Sequence, residues 1–448
     1  MGKPTGFMDY ERMDAVDLSP AARVENFECF HSELNPKQRK EQAGRCMDCG
    51  VPFCQAGVVI RNKPMGCPLH NLIPEWNDQL WNGNLEEALE RLLQTNCFPE
   101  FTGYVCPAGC EKACACGKIG NPVTINANER YIIEQAFEQG LMQPRPPKKR
   151  SGKQIAVVGS GPAGLTVAQL LNHRGHSVTV LDRNATPGGL LVYGIPNMKL
   201  PKEVVARRIK LMEAEGIVFE CGVDVGREVT VGQLAADYDA VVLAIGAQQP
   251  RVVPFEDTAN AAVYVLDYLG ASARTLLGEQ KELGGKFDAK GKVAAVIGAG
   301  NSANDCIATM LRQGASDVIQ LIRRPAEDYG PMTDYAHVEA SAVLGHDIRR
   351  FQTQVAAVHT DADGNITELV LSTPEGEETV AAQMLVVASG FSGAEEYATA
   401  GCALGEEDGV FQAGDMNIGA SLVVRAMADA RQTARKVDCF LMGYSNIR

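Results

Sequence analysis

Ten of the chain's 14 cysteines fall between Cys29 and Cys116, and their spacing is the first chemistry the sequence offers. Cys46-Met47-Asp48-Cys49 is a CxxC pair with Cys54 close behind; Cys67-Pro68, Cys106-Pro107, Cys110, Cys114 and Cys116 follow. No apolar run approaches the ~18 residues that cross a bilayer, and the first residues lack the apolar core of a leader peptide. A cytoplasmic location is expected, where thiols stay reduced, so this crowd of thiols points to metal or redox chemistry rather than disulfides. Zinc and iron–sulfur clusters compete for them. Zinc favours closed Cys₄ sites built from paired CxxC motifs. Only one CxxC exists here, and CxxCxxxxC with separate Cys-Pro pairs is closer to cluster ligation. A zinc-stabilised module whose nucleotide domains sense redox state is the contrasting reading. Cys29 is expected to be a core thiol. Cys221, Cys306, Cys402 and Cys439 lie singly in apolar surroundings, where small buried thiols are expected.

Two glycine-rich turns supply the second chemistry. Gly159-Ser160-Gly161-Pro162-Ala163-Gly164 lies between an apolar strand over 154–158 and a helix over 165–172. The first glycine permits the tight turn, the second lets backbone approach a pyrophosphate, and the third lets helix and strand pack closely. The phosphates then meet the helix N-terminus. Asp182 ends the next strand, 23 residues after Gly159, where a carboxylate can accept from ribose hydroxyls. Gly298-Ala299-Gly300-Asn301-Ser302-Ala303 repeats the pattern between a strand over 292–297 and a helix over 302–312. Its second strand, over 318–322, ends in Arg323 and Arg324 rather than an acid, which suits the 2′-phosphate of NADP. Two nucleotide sites in one chain suit hydride transfer from a nicotinamide to a bound flavin. Near the C-terminus, a strand over 410–412, the acid Asp415 and a helix from Leu422 would set a helix N-terminus against a reduced flavin.

The elements that must carry these residues are those of an α/β protein. With 448 residues, 45% hydrophobic and 22% charged, the chain has enough apolar material for about three domains. Its 42 basic residues against 55 acidic give a net charge of −13, which leaves no basic stripe for nucleic acid. A helical, cysteine-rich domain is expected over 1–145, with an amphipathic helix over 86–93. The proline-rich basic stretch 143–152 then serves as a linker. Strand and helix patterns alternate beyond it. The C-terminal strand and helix return the chain to the first nucleotide unit, so the second is expected to be inserted in it. The expected fold is a helical iron–sulfur domain followed by two Rossmann-like domains, one over 151–250 and 385–448, the other over 251–384.

Gly188-Gly189-Leu190-Leu191-Val192-Tyr193-Gly194-Ile195-Pro196-Asn197-Met198-Lys199-Leu200 resembles the flavin-site loop of glutamate synthase small (β) subunits. Gly414-Asp415, Ser421-Leu422-Val423-Val424 and Ala430-Arg431-Gln432 resemble the same family, as do the cysteine-bearing stretches 46–54, 67–78 and 96–103. The cysteine arrangement also heads dihydropyrimidine dehydrogenases. The resemblance covers nearly the whole chain and implies FAD at Gly159, Gly161, Pro162, Ala163, Gly164, Asp182, Arg183, Gly189, Leu190, Gly414, Asp415, Ser421 and Leu422. It implies NADPH at Gly298, Gly300, Asn301, Ser302, Arg323 and Arg324. It also implies two [4Fe–4S] clusters, one on Cys46, Cys49, Cys54 and Cys114. The other is on Cys67, Cys106 and Cys110, with Glu129 in the place of a non-cysteine fourth ligand, although the residues alone read Glu129 equally as an exposed helix-start carboxylate; Cys97 and Cys116 fall outside this pattern and are expected to be bystanders. The implied acceptor is the large (α) glutamate synthase subunit, which makes glutamate from glutamine and 2-oxoglutarate. The alternative acceptors are a dihydropyrimidine dehydrogenase or ferredoxin. No side chain is expected to act as general acid or base, so His70 and His337 are read as structural. Three stretches depart from the family pattern: 54–67 is longer than in its shortest members, Gly298-Ala299-Gly300-Asn301 stands where many members have three glycines and an acid, and 323–334 is shorter.

Overall fold

Prolines and caps set where the N-terminal helices begin. Pro36, Pro74, Pro99 and Pro162 each occupy a first-turn position, where a missing N–H costs nothing. Asn35 and Gln38 close a reciprocal capping box around the first of these turns. The computed structural model describes residues 2–60, 63–257, 259–329, 334–399 and 405–447. Helices Pro36–Gly44, Ile73–Asn82, Leu85–Leu93, Pro99–Val105 and Ile125–Glu138 bury Trp76, Phe98, Phe101, Ile132 and Ile133. In Leu85–Leu93 the apolar stripe Ala88, Leu89 and Leu92 faces that core, the arrangement expected of its periodicity. The cysteines lie mostly on the loops and short turns between these helices.

Two parallel sheets follow. The first has the order Val410–Gln412, Ala240–Leu243, Gln154–Val158, Ser177–Asp182, Val218–Cys221. Its central strands Gln154–Val158 and Ala240–Leu243 are buried on both faces beyond Gln154, as a sheet covered on both sides requires. Its core is continuous with that of the N-terminal helices, because Trp76, Phe98 and Val123 share one apolar cluster with Val157, Leu171 and Met427. The closing helix Val423–Met442 packs on Pro162–His173.

The second sheet has the order Arg349–Phe351, Asp317–Ile322, Val293–Ile297, Met384–Val387, Val263–Tyr264, with an antiparallel three-stranded sheet, Gln354–Thr360, Ile366–Thr373 and Gly376–Ala381, beside it. Met384–Val387 pairs with Val293–Ile297 and Val263–Tyr264. The expected unit boundary at 384/385 therefore cuts a strand of the second sheet, and the chain returns to the first unit later. The outward and return crossings run side by side as Gln249–Pro250 against Phe391–Gly393.

An N-terminal strap ties the second sheet to the helical layer. Phe30 is buried among Tyr268, Met310 and Ala340 of the second unit. Three residues on, Glu33 pairs with Arg39 and Arg130 of the helical layer. Of the thiols expected to be buried, Cys306 is so, Cys29 and Cys221 are half-buried, and Cys439 is exposed, because the helix Val423–Met442 turns it away from the core stripe. Cys402 lies outside the described residues. No described helix is long and apolar enough to cross a membrane.

Candidate flavin and iron–sulfur sites

The first glycine turn opens onto a cavity of about 280 Å³. Gly159 adopts φ +99°, and a Cβ there would stand 2.6 Å from the Ala244 carbonyl oxygen. Gly164 is tighter still, with only 1.8 Å between a Cβ and the Gly159 oxygen, so it packs the turn without lining the cavity. Of the residues expected at FAD, Gly159, Gly161, Pro162, Ala163, Asp182, Arg183, Gly189, Leu190, Asp415 and Ser421 line this one cavity. Gly414 packs instead on Ala163, 2.4 Å from its built Cβ. Leu422 points to a neighbouring cavity.

Asp182 is placed where a ribose acceptor was expected, yet its carboxylate is already engaged. Oδ2 accepts from the Ser160 N–H and hydroxyl, and Oδ1 from the N–H and side-chain amide of Asn184. It holds the glycine turn closed, and a ribose hydroxyl there would exchange with Asn184. Arg183 reaches Glu395, Tyr397 and Gln248 around the same cavity.

The second glycine turn faces this cavity from the other unit. Gly298, at φ +133°, lies under the Ala388 carbonyl, whereas Gly300 has open space where a Cβ would sit, the room a pyrophosphate needs. The helix Asn301–Gln313 starts there, and its Ser302 and Asp305 line the cavity shared with the first turn. The Asp305 carboxylate accepts from Lys199 Nζ of the first unit at 3.0 and 3.2 Å and from the Tyr335 hydroxyl at 2.7 Å. Sequence reasoning missed Lys199 and Asp305; one signal was an acid three residues after Ser302, on the face its helix turns toward the flavin cavity. Arg323 and Arg324 stand exposed just beyond their strand, with no ion pair among the described residues.

The thiols surround two further cavities. Cys67, Cys106, Cys110 and Glu129 line one; Cys46, Cys49, Cys54 and Cys114 line the other, with Cys116. Ile73 belongs to both walls. Three ligand loops contain a non-glycine residue in the left-handed region, Asp48 at φ +48°, His70 at +54° and Ala108 at +52°. Such strain costs about 1–3 kcal/mol each and persists where a clamp requires it.

Burial pushes Cys46, Cys54 and Cys106 up to about 12 and Cys67 to about 11, so metal binding there releases protons. Cys114 is drawn down to about 6 by a hydrogen bond from Cys116. Cys116, expected to be a bystander, lies in the cavity wall beside Cys114 and donates to the Arg45 carbonyl. Cys97 lines neither cavity.

Glu129 is buried with Thr102 and Asn96 as its partners, and no cation contributes to its environment. Burial raises its carboxyl to about 7, and a buried carboxylate without a cation either takes up a proton or is compensated by a metal; the three thiols and this acid around one cavity fit an iron cluster. Among the described residues no three thiol, imidazole or carboxylate groups converge as a single ion requires.

Residues 23–141 match the family model described as dihydropyrimidine dehydrogenase domain II, 4Fe-4S cluster. Residues 153–427 match that of pyridine nucleotide-disulphide oxidoreductases. The chain is 41% identical to the glutamate synthase [NADPH] small chain of Bacillus subtilis, over 99% of each protein. It belongs to the glutamate synthase small-chain family. The small chain of Escherichia coli is 32% identical over 96% of this chain and 97% of its own length. The glutamate synthase [NADH] of Schizosaccharomyces pombe is 38% identical over 99% of this chain, which covers 23% of that longer protein. Among solved structures, FprA from Mycobacterium tuberculosis superposes with a TM-score of 0.51 at 21% identity, over 67% of this chain and 85% of that one, and so shares its fold. In this small chain an iron–sulfur domain therefore precedes pyridine-nucleotide oxidoreductase domains of Rossmann type.

Proposed function

We propose that the chain is the electron-input subunit of glutamate synthase, oxidising NADPH with FAD and feeding two [4Fe–4S] clusters that supply a large subunit. One observation carries this reading: the three cavities are in series, the first two divided by the segment 421–424 and the last two by Ile73. Ser421 and Val423 line the flavin cavity, while Leu422 and Val424 line the Cys67 cavity on the other side of the same segment. Ile73 alone is common to the two cysteine cavities. When bound, a nicotinamide would supply two-electron chemistry, a flavin the exchange between electron pairs and single electrons, and clusters held by the two thiol sets one-electron chemistry.

The chain's own residues position these groups. Gly159 and Gly161 admit a pyrophosphate, and Lys199 with Asp305 ties the second glycine-turn helix to the flavin unit. Glu129 completes the second thiol set. With no ion pair among the described residues, the exposed Arg323 and Arg324 side chains are available to a 2′-phosphate, which favours NADPH although two relatives are named for NADH.

The large subunit then makes L-glutamate from L-glutamine and 2-oxoglutarate; in the longer S. pombe relative the corresponding segment is part of one polypeptide. Mixing this chain with a large subunit, NADPH, glutamine and 2-oxoglutarate tests the assignment. Glutamate formation above the sum of the separate parts supports it, and none overturns it. Product assays with pyrimidines and with ferredoxin examine the alternative acceptors.

A further inference from the structure

Glu129 is the one oxygen ligand in the proposed pair of clusters, so whatever holds its carboxylate also tunes the iron behind it. Both partners of that carboxylate converge on one oxygen. Oε1 accepts from the Thr102 hydroxyl and, at 3.0 Å, from the Asn96 side-chain amide. The same amide donates to Thr102 Oγ1 at 2.8 Å, so the donors form a short chain running Asn96 to Thr102 to Glu129. Asn96 is fixed in turn, because its Oδ1 accepts from the Phe98 N–H at 3.0 Å. All three residues are almost fully buried. Oε2 accepts no hydrogen bond among the described residues, which leaves it for metal.

Packing makes the chain possible. Thr102 is on the helix Pro99–Val105 and Glu129 on Ile125–Glu138. A Cβ on Gly103 would meet the Arg130 Cα and Cβ at 3.0 Å, so the helices approach this closely because residue 103 has no side chain. The contact brings the Thr102 hydroxyl within reach of Glu129.

Resting on the cluster assignment above, we propose that Thr102 and Asn96 are positioning residues that set the reduction potential of the Cys67–Cys106–Cys110–Glu129 cluster. Each donor withdraws charge from Oε1, which makes Oε2 a weaker donor to iron. The reduced cluster carries one more negative charge and gains more from that withdrawal. Hydrogen bonding around the ligands is one of the levers that set cluster potentials. Direct donors to a ligand, in a site that excludes solvent, act with little screening. The effect is confined to the cluster next to the flavin cavity, because Thr102 lines that cysteine cavity and not the other.

The test is a potentiometric titration of the anaerobically purified full chain, followed by the paramagnetic resonance of each reduced cluster, in wild type, Thr102→Val, Thr102→Ser and Asn96→Asp. Thr102→Val removes the hydroxyl and keeps the shape, and it is expected to move one cluster to lower potential and leave the other in place. Thr102→Ser restores the hydroxyl and is expected to return the wild-type value. Asn96→Asp keeps an acceptor for the Phe98 N–H but replaces the amide donor with an oxygen; it shifts the same cluster in the same direction, and it decides the matter if Thr102→Val does not load iron. Unmoved potentials in Thr102→Val and Asn96→Asp, equal shifts in both clusters, or a Thr102→Ser shift as large as that of Thr102→Val would overturn the proposal. A wild-type protein showing only one cluster would instead overturn the cluster assignment beneath it.

Discussion

Replacing Arg323 and Arg324 with alanine isolates the 2′-phosphate of the nicotinamide nucleotide. Both side chains are exposed and neither makes an ion pair among the described residues, so their removal forfeits no ion pair there. A hydrogen bond to a charged group contributes about 1.5–3 kcal/mol where solvent is excluded. Exposure discounts that toward about 1 kcal/mol for each arginine. Either single substitution is then expected to weaken NADPH binding about 5-fold and the pair together about 30-fold. NADH lacks the phosphate, and its affinity is expected to stay within about 2-fold. The assay is an anaerobic titration of flavin absorbance with each nucleotide, repeated at about 1 M salt, where the screening length falls to about 3 Å and the gap should narrow. Equal losses for NADPH and NADH, or no loss for either, would refute the phosphate assignment.

Three further perturbations follow from the same geometry. Asp305→Asn weakens the bond to Lys199 across the two nucleotide units; rapid-mixing traces should show flavin reduction slowed about 10-fold with a smaller change in NADPH affinity. Lys199→Met should behave alike, and the double variant should be no worse than either, whereas additive losses would show that the two do not act as a pair. Gly103→Ala raises helix propensity by about 1 kcal/mol, but its Cβ must displace Arg130; loss of roughly half the cluster iron is expected, and unchanged iron would show that the close approach is dispensable. Burial brings Lys202 down to about 7, and its Nζ donates to the Leu191 and Ile195 carbonyls, which a neutral amine can still do. Between about pH 7 and the ordinary lysine value of 10.5 the unfolded chain binds the extra proton, so stability rises with pH. Melting curves from pH 7 to pH 9 should rise more for wild type than for Lys202→Met, and parallel curves would contradict the buried amine.

Much of the fold was legible because its signals are local. The two glycine turns sit between an apolar strand and a helix, and the observed strands Gln154–Val158 and Val293–Ile297 fall within a residue of the runs that suggested them. The return point of the inserted unit was misplaced because Met384–Val387 is apolar on both faces, a pattern either parallel sheet would bury. The family's cysteine pattern separated plausible ligands from Cys97, yet it could not show that Cys116 shares the cavity wall with Cys114 or that Ile73 divides two cavities. The first is set by the fold of one short turn, the second by the packing of the helix Ile73–Asn82. Glu129 read from sequence as equally an exposed helix-start acid, and only its burial without a cation distinguishes it. Asp305, Lys199, Thr102 and Asn96 carry no motif of their own; each gains its role from a partner at least six residues away in the chain.

The series of three cavities is tested most directly by quantifying iron, acid-labile sulfide, zinc and flavin on one anaerobically purified sample. Two four-iron clusters beside one flavin predict about eight irons and about eight sulfides per FAD, with no stoichiometric zinc. A colourless protein, or one holding zinc in place of iron and sulfide, would contradict the account.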